Sequence, residues 1–335
     1  LKRAQTIGES LSKLGATNKN ALIIYPSGLS FIEAFFGAIF AGATPIPIQS
    51  IGLNNAKLFN AQFKQIINNA KVEFVLGAKE IQDKLERFDE YSAKLTWIDS
   101  SQIKNSLVNA WINPDIQAQT NAYIQYTSGS TQEPRGICIT HENIISNCKS
   151  IKNAGFHGSG NHVSWLPHYH DMGLVGSIIC PLYIGISTVL MSPQSFLRKP
   201  IRWLKTIEYF CATSSGGPAF AYDLVLKHVK EAERKLINLS SWEVAYCGAE
   251  PIQNEVLENF SESFSVSGFN EIYFLPCYGM AEATLFITGN HGINSVKVNR
   301  KALSNKEIVF DDAISSQVIV SVGNVFDKTN ISIVD

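Results

Sequence analysis

Short apolar runs alternate with longer amphipathic stretches along most of the chain. Residues 21–25, 44–48, 73–76 and 95–98 have the length and composition of strands. Between them, residues 2–14 place Ile7, Leu11 and Leu14 at helical spacing and stop at Gly15. Further helices are predicted over 31–41, 53–70 and 78–88. Pro45 and Pro47 mark the 44–48 run as an edge strand, because proline has no N–H for a ladder. The alternation continues with strands at 123–126, 163–166, 243–247 and 272–276, a short apolar run at 137–139, and helices at 141–154 and 201–210. Such alternation implies parallel strands joined by crossover helices, an α/β class.

Past Asn290 the texture changes to short β-like runs at 295–298, 308–310, 317–322 and 331–334. The expected organisation is two βαβ-type subdomains with mostly parallel sheets flanked by helices, over 1–160 and 161–290. The start of a smaller β-rich subdomain follows over 291–335.

The uncharged run 172–191 is as long as a membrane span. Its Gly173, Gly176, Pro181 and Gly185 argue instead for a buried helix, to about residue 180, feeding a buried strand over 186–191. No membrane span is expected. With 28 Lys and Arg against 29 Asp and Glu the net charge is −1, which gives no footprint for nucleic acid. The six cysteines lack metal-type spacing and read as buried free thiols in a reducing, cytoplasmic setting. No signal peptide opens the chain, and Leu1 suggests that its natural start lies upstream.

Four polar turns carry the chemistry. In the first, Thr127, Ser128, Gly129, Ser130 and Thr131 follow a strand and precede Pro134, Arg135 and Gly136. Glycine lets backbone N–H groups turn onto an anion, hydroxyls add donors and arginine adds a permanent forked charge. That chemistry suits a polyphosphate, although the stretch lacks the Gly-Lys-Ser/Thr of a Walker loop. In the second, His168, Tyr169, His170 and Asp171 follow a strand, where ligands collect in open α/β sheets. Zinc on His168 and His170 is the weaker reading, because no second His/Cys cluster matches.

The third turn, 245–252, and the fourth, 275–284, share a strand–turn–helix plan, with Pro251 suited to a first helical position. Tyr278 beside Gly279 offers a flat face with close backbone access, suitable for a purine. Glu282 is placed to hold Mg²⁺ while phosphates supply other ligands. First-turn carboxylates that complement a helix dipole are the weaker reading of Glu250 and Glu282, because four such turns, all after strands, occur in one chain.

The first turn resembles the phosphate loop of the adenylate-forming (acyl-activating, AMP-binding) enzymes, YTSGSTGxPKG, departing at Gln132 and Glu133 and carrying Arg135 for the usual lysine. The four turns occur in that superfamily's order. Three stretches, SWLPHYHDMGLVG, MSPQSFLRKPIRWLKTI and SSGGPAFAYDL, look like the fatty acyl-AMP ligases. The resemblance implies ATP-dependent activation of a fatty acid to acyl-AMP, with transfer to the phosphopantetheine arm of an acyl carrier protein. It also implies that an aspartate, a hinge and a small C-terminal lid domain lie beyond residue 335.

By residue, the resemblance assigns Thr127, Ser128, Gly129, Ser130, Thr131 and Arg135 to the phosphates. Gly248, Ala249, Glu250, Tyr278 and Gly279 would frame the adenine. Glu282 would hold Mg²⁺, with His170 at the acyl carboxylate; His170, Arg135 and Glu282 form the expected catalytic set. The acyl tunnel would draw on His170, Met172, Gly173, Val175, Gly216, Gly217, Phe220, Met280 and Ala281. The rivals are a fatty acyl-CoA synthetase of the same superfamily and a non-catalytic module that binds nucleotide or carrier protein.

Overall fold

The structure is a computed structural model and describes residues 1–50, 56–86, 94–104, 111–127, 134–156, 159–313, 316–326 and 329–332. It divides into two compact units, one of residues 1–145 and 167–174, the other of residues 146–166 and 175–335.

In the first unit, β1 (Asn20–Ile24), β2 (Thr44–Pro47), β3 (Val72–Gly77) and β4 (Thr96–Ile98) form a parallel sheet in the order β2-β1-β3-β4. The central strands are apolar runs because both faces are covered: Ala21, Leu22, Ile23 and Ile24 are all buried. The edge position expected for the proline-bearing strand is found. The Thr44 and Ile48 N–H groups donate to the Lys19 and Ile23 carbonyls beside β1. Pro45 and Pro47 alternate with them, so their missing donors face away from the ladder.

The next two strands depart from the parallel expectation. β5 (Asn121–Thr127) and β6 (Arg135–Thr140) pair antiparallel as a separate hairpin lying against β2. Their connection is too short for the crossover that parallel pairing requires. Tyr123 of β5 packs its ring edge-on to Phe35 of helix 29–40, and Ile124 enters the core with Leu22, Ile46 and Val75.

In the second unit, the sheet contains β7 (Asn161–Ser164), β8 (Ser187–Leu190), β9 (Ala212–Gly217), β10 (Val244–Cys247), β11 (Phe274–Gly279), β12 (Phe286–Gly289) and β15 (Asn324–Val325). Its order is β15-β12-β11-β10-β9-β7-β8. β8, β7, β9, β10 and β11 run parallel to one another, β12 is antiparallel to β11, and β15 is antiparallel to β12. The chain leaves β7 for β8 on one side and returns across β7 to build β9, then β10, on the other. β7 and β9 therefore flank a topological switch point, the place where open α/β sheets bind ligands. Trp203, Tyr222, Trp242, Phe260 and Phe274 interlock through edge contacts as an aromatic core. His162 of β7 is fully buried with Nδ1 2.9 Å from the Ser214 hydroxyl. Burial lowers its pKa to about 3.

The 171–184 stretch is helical throughout, with a π turn at Val175–Ile179. Among the described residues no helix is long and apolar enough to cross a membrane. Two features differ from expectation. Cys138 and Cys211 are exposed, the first on the open face of β6, the second at a turn with φ 46°. The helix expected at Pro251 begins only at Asn254. At the chain's end, β13 (Ser295–Val298) and β14 (Gln317–Val320) pair antiparallel, with a bridge from Val298 to Phe310. The run at 331–334 falls partly outside the described residues.

Candidate active site

Each unit carries part of the expected residues. In the first unit, the hairpin register sets Thr127 directly opposite Arg135, with Thr127 half-buried and Arg135 exposed. The hydroxyl and the guanidinium thus start from adjacent positions on two paired strands. Ser128, Gly129, Ser130 and Thr131 lie outside the described residues. Tyr126 donates its hydroxyl to Asn69 Oδ1 at 2.6 Å, tying β5 to the helix 56–69.

The turn at 167–174 separates its two histidines. His168 is buried, and its Nδ1 accepts the Gly28 N–H at 3.1 Å while its own N–H donates to Ser27 Oγ at 3.3 Å. Its ring sits edge-on to Phe31. Burial lowers the pKa to about 4, so the ring is neutral and fastens this turn to the one after β1. His170 is half-exposed, with Nδ1 2.6 Å from Asp171 Oδ1. That hydrogen bond raises the imidazole pKa against the opposing pull of burial. Gln125 Nε2 of β5 donates to the Tyr169 carbonyl at 3.0 Å and holds the turn from the hairpin side. Met172 and Gly173 are buried in the helix that follows.

In the second unit, the strand ends at the switch point are closed by Trp165. Its ring stacks on Phe196 at 4.2 Å and meets Phe220 edge-on at 5.9 Å. A Cβ on Gly217 would lie 2.6 Å from Trp165 Cζ2, so this strand end accepts no side chain. Gly216 is similarly tight against the Tyr246 carbonyl.

β10 and β11 run in register, Cys247 opposite Pro276, which brings the 248–250 turn beside the 277–279 strand end. Gly248 is buried there, and a Cβ on it would lie 2.7 Å from the Cys277 carbonyl. Ala249 holds φ 68°, a left-handed conformation uncommon outside glycine and concentrated at functional turns. Glu250 Oε1 accepts the Phe220 N–H at 2.7 Å, in the first turn of helix 219–228. The carboxylate does meet a helix start, but of a helix distant in sequence from its own turn. Two expected site residues, Glu250 and Phe220, are thus joined.

The fourth turn has a different continuation from the one expected. After Gly279 come a 3₁₀ turn, Ala281–Ala283, and then the antiparallel strand β12. Gly279 makes this possible, since a Cβ there would stand 1.9 Å from the Leu285 carbonyl. Tyr278 (45% exposed), Phe220 (43%) and Met280 (37%) present apolar surface to solvent, while Ala281 and Val175 are buried. Glu282 is exposed, and its carboxylate has no hydrogen bond or ion pair among the described residues.

A residue with no sequence signal positions that turn. Asn147 Nδ2 donates to the Ala283 and Phe286 carbonyls at 3.2 and 2.8 Å, and its Oδ1 accepts the Phe286 N–H at 3.0 Å. These bonds clamp the chain immediately after Glu282. Among the described residues no group of three or more His, Cys, Asp or Glu could hold a metal ion. A single free carboxylate fits a Mg²⁺ ion that takes its other oxygens from phosphates and water.

Known proteins are similar to this chain in sequence and architecture. JamA of Moorena producens, a medium-chain-fatty-acid–[acyl-carrier-protein] ligase, is 37% identical over 326 residues, 95% of this chain and 55% of JamA. TtuA of Teredinibacter turnerae, named for the same activity, is 40% identical over 253 residues, 73% of this chain and 39% of TtuA. The crystal structure of a fatty acyl-adenylate ligase from L. pneumophila, in complex with acyl adenylate and pyrophosphate, superposes with a TM-score of 0.88 at 35% identity. It covers 97% of this chain and 57% of that one. The chain thus spans about half the length of the relatives it matches. The AMP-binding enzyme family matches residues 1–335, and the chain belongs to it.

Proposed function

We propose that the protein activates a fatty acid with ATP, giving acyl-adenylate and pyrophosphate, and passes the acyl group to an acyl carrier protein. The acid's carboxylate oxygen attacks the α-phosphorus of ATP; the P–O bond to the β-phosphate breaks, and pyrophosphate leaves with the electron pair. The reaction needs in-line geometry and positive charge on the phosphates rather than covalent help.

Thr127, Ser128, Gly129, Ser130, Thr131 and Arg135 bind the β- and γ-phosphates in this reading. Tyr278 and Gly279, with Gly248, Ala249 and Glu250, frame the adenine. Glu282 holds Mg²⁺, which neutralises charge on the phosphate oxygens when bound. His170 donates to the acyl carboxylate. Met172, Gly173, Val175, Gly216, Gly217, Phe220, Met280 and Ala281 line the path of the acyl chain. The phosphopantetheine thiol of the carrier protein then attacks the acyl carbon, the C–O bond to the phosphate breaks and AMP leaves; the setting is the cytoplasm.

The observation that supports this reading most is the identity to JamA and TtuA, both named for medium-chain fatty acids and a carrier protein. It is tested with ATP, Mg²⁺ and a panel of C8 to C18 fatty acids, following acyl-AMP by mass spectrometry. Coenzyme A and a holo carrier protein are then offered in turn. Acyl-AMP that passes only to the carrier is the expected result. Prompt acyl-CoA formation assigns the protein to the synthetases, and no adenylate from any acid leaves a binding module.

A further inference from the structure

We propose that Asp171 is a positioning residue for His170: its carboxylate fixes the ring so that Nε2–H is presented as a donor to the acid's anionic oxygens. The inference rests on the assignment of His170 to the acyl carboxylate.

The geometry is local and complete. Asp171 is the first residue of the helix 171–184, and its side chain is largely buried. Oδ1 receives two donors, His170 Nδ1 at 2.6 Å and the Met172 N–H at 2.6 Å. The Met172 N–H also lies 3.3 Å from Nδ1, but the shorter bond to an anionic oxygen takes the proton. Nδ1 therefore keeps its own hydrogen for Asp171, and Nε2 is the ring nitrogen that faces a ligand. The backbone on both sides is pinned: the His170 N–H donates to the Pro167 carbonyl at 3.2 Å, and the His170 carbonyl accepts the Leu174 N–H at 2.7 Å. A half-exposed imidazole without such a tether would sample several rotamers, at a cost each time one is selected.

The charge environment favours the same role. Asp171 is the charged group in contact with the ring. In the same turn His168 is neutral through burial, and the Tyr169 phenol is pushed up and stays protonated. The elements packed on the turn contribute Ser27, Gly28 and Gln125, all uncharged. With its pKa raised by the Asp171 hydrogen bond, the ring holds a proton on Nε2 over a wider pH range. A charged donor to a carboxylate or phosphate oxygen is about twice as strong as a neutral one. A carboxylate at a helix start also complements the dipole, but that role alone predicts lost stability with no change in a pH profile.

Asp171→Asn keeps an acceptor of the same shape and removes the charge. Two measurements on the protein decide the matter. The first is the His170 titration by NMR with ¹⁵N-labelled imidazole; the second is kcat/KM for the acid against pH. The expected result is a fall of about one pH unit in both the NMR titration and the alkaline limb. The corresponding loss of kcat/KM is about tenfold at the alkaline end, closing as the pH falls. Asp171→Glu restores part of the shift. An NMR titration of His170 that does not move in Asp171→Asn overturns the inference directly and leaves the acyl assignment intact. Full kcat/KM for the acid in His170→Ala overturns it through the assignment it rests on, whatever the NMR titration shows.

Discussion

Replacing Gly217 by alanine tests whether the switch-point end of β9 is as closed as its geometry indicates. The new Cβ would stand 2.6 Å from Trp165 Cζ2, 3.4 Å from Cε2 and 3.5 Å from Cη2. Comfortable carbon contacts lie at about 3.5–4.0 Å, so the indole must retreat by about 1 Å. It has little room, because Phe196 stacks on it at 4.2 Å and Trp203 and Phe220 close its edges at 6.1 and 5.9 Å. Overpacking of this kind costs about 1–3 kcal/mol. Alanine's smaller unfolded-state entropy returns about 0.5–1 kcal/mol, so from the middle of that range the net loss is about 1 kcal/mol. Urea unfolding followed by near-UV circular dichroism reads the loss as a lower midpoint at unchanged slope. Trp165→Phe removes the clashing benzo ring, so the double variant should lose about 1 kcal/mol less than the sum of the singles. Wild-type stability in Gly217→Ala, or strict additivity in the pair, would show that the indole is not clamped and refute the reasoning.

Acid should destabilise the protein through two neutral histidines. His162 and His168 titrate at about 3 and about 4 when folded but near 6.5 when unfolded, so the unfolded chain binds more protons below 6.5. Stability present above that value falls on acidification by about 2 kcal/mol per histidine at pH 5. His170, whose folded pKa is raised, works in the opposite sense; its contribution is present in acid and fades as the pH rises through the folded value. His168→Asn, which offers Oδ1 to the Gly28 N–H, should remove about half of the acid loss, and urea midpoints at pH 7 and 5 check it. Glu282→Ala should raise the Mg²⁺ concentration needed for acyl-AMP formation by tenfold or more; an unchanged Mg²⁺ titration would remove the carboxylate from the metal. Arg135→Ala should weaken ATP binding by about tenfold, measured by calorimetry, with an unchanged dissociation constant telling against its phosphate role.

Sequence pattern located parallel strands such as β1 and β3, which are short apolar runs flanked by turns, but passed over β9, whose Ser214, Ser215, Gly216 and Gly217 lack a strand's apolar character. Pairing direction was harder to see. β5 and β6 read like any other strands, and only the length of their connection marks the hairpin. The fourth turn misled in a similar way: Gly279 suits a helix-starting turn and a chain reversal equally, and the approach of the Leu285 carbonyl decides between them. At the candidate site, the polar clusters were legible as clusters, but their internal division was not. His168 and His170 stand two residues apart, yet one is buried against Phe31 and the other stands half-exposed on Asp171. Asn147 left no mark because its partners lie more than 130 residues away along the chain.

The outward-facing prolines of β2 bear on the mechanics of the first unit. Pro45 and Pro47 offer no N–H on the outer edge, so the hairpin beside β2 stays outside the four-stranded ladder. β5 is held instead by side chains, through Tyr123 on Phe35, Ile124 in the core and Tyr126 on Asn69. Side-chain contacts yield more softly than a backbone ladder. The strand pair that carries Thr127 and Arg135 is thereby a separately sprung element, able to shift slightly without shearing the sheet. Valine at both positions would restore the missing donors, weld the hairpin into one stiff sheet and exchange compliance for rigidity.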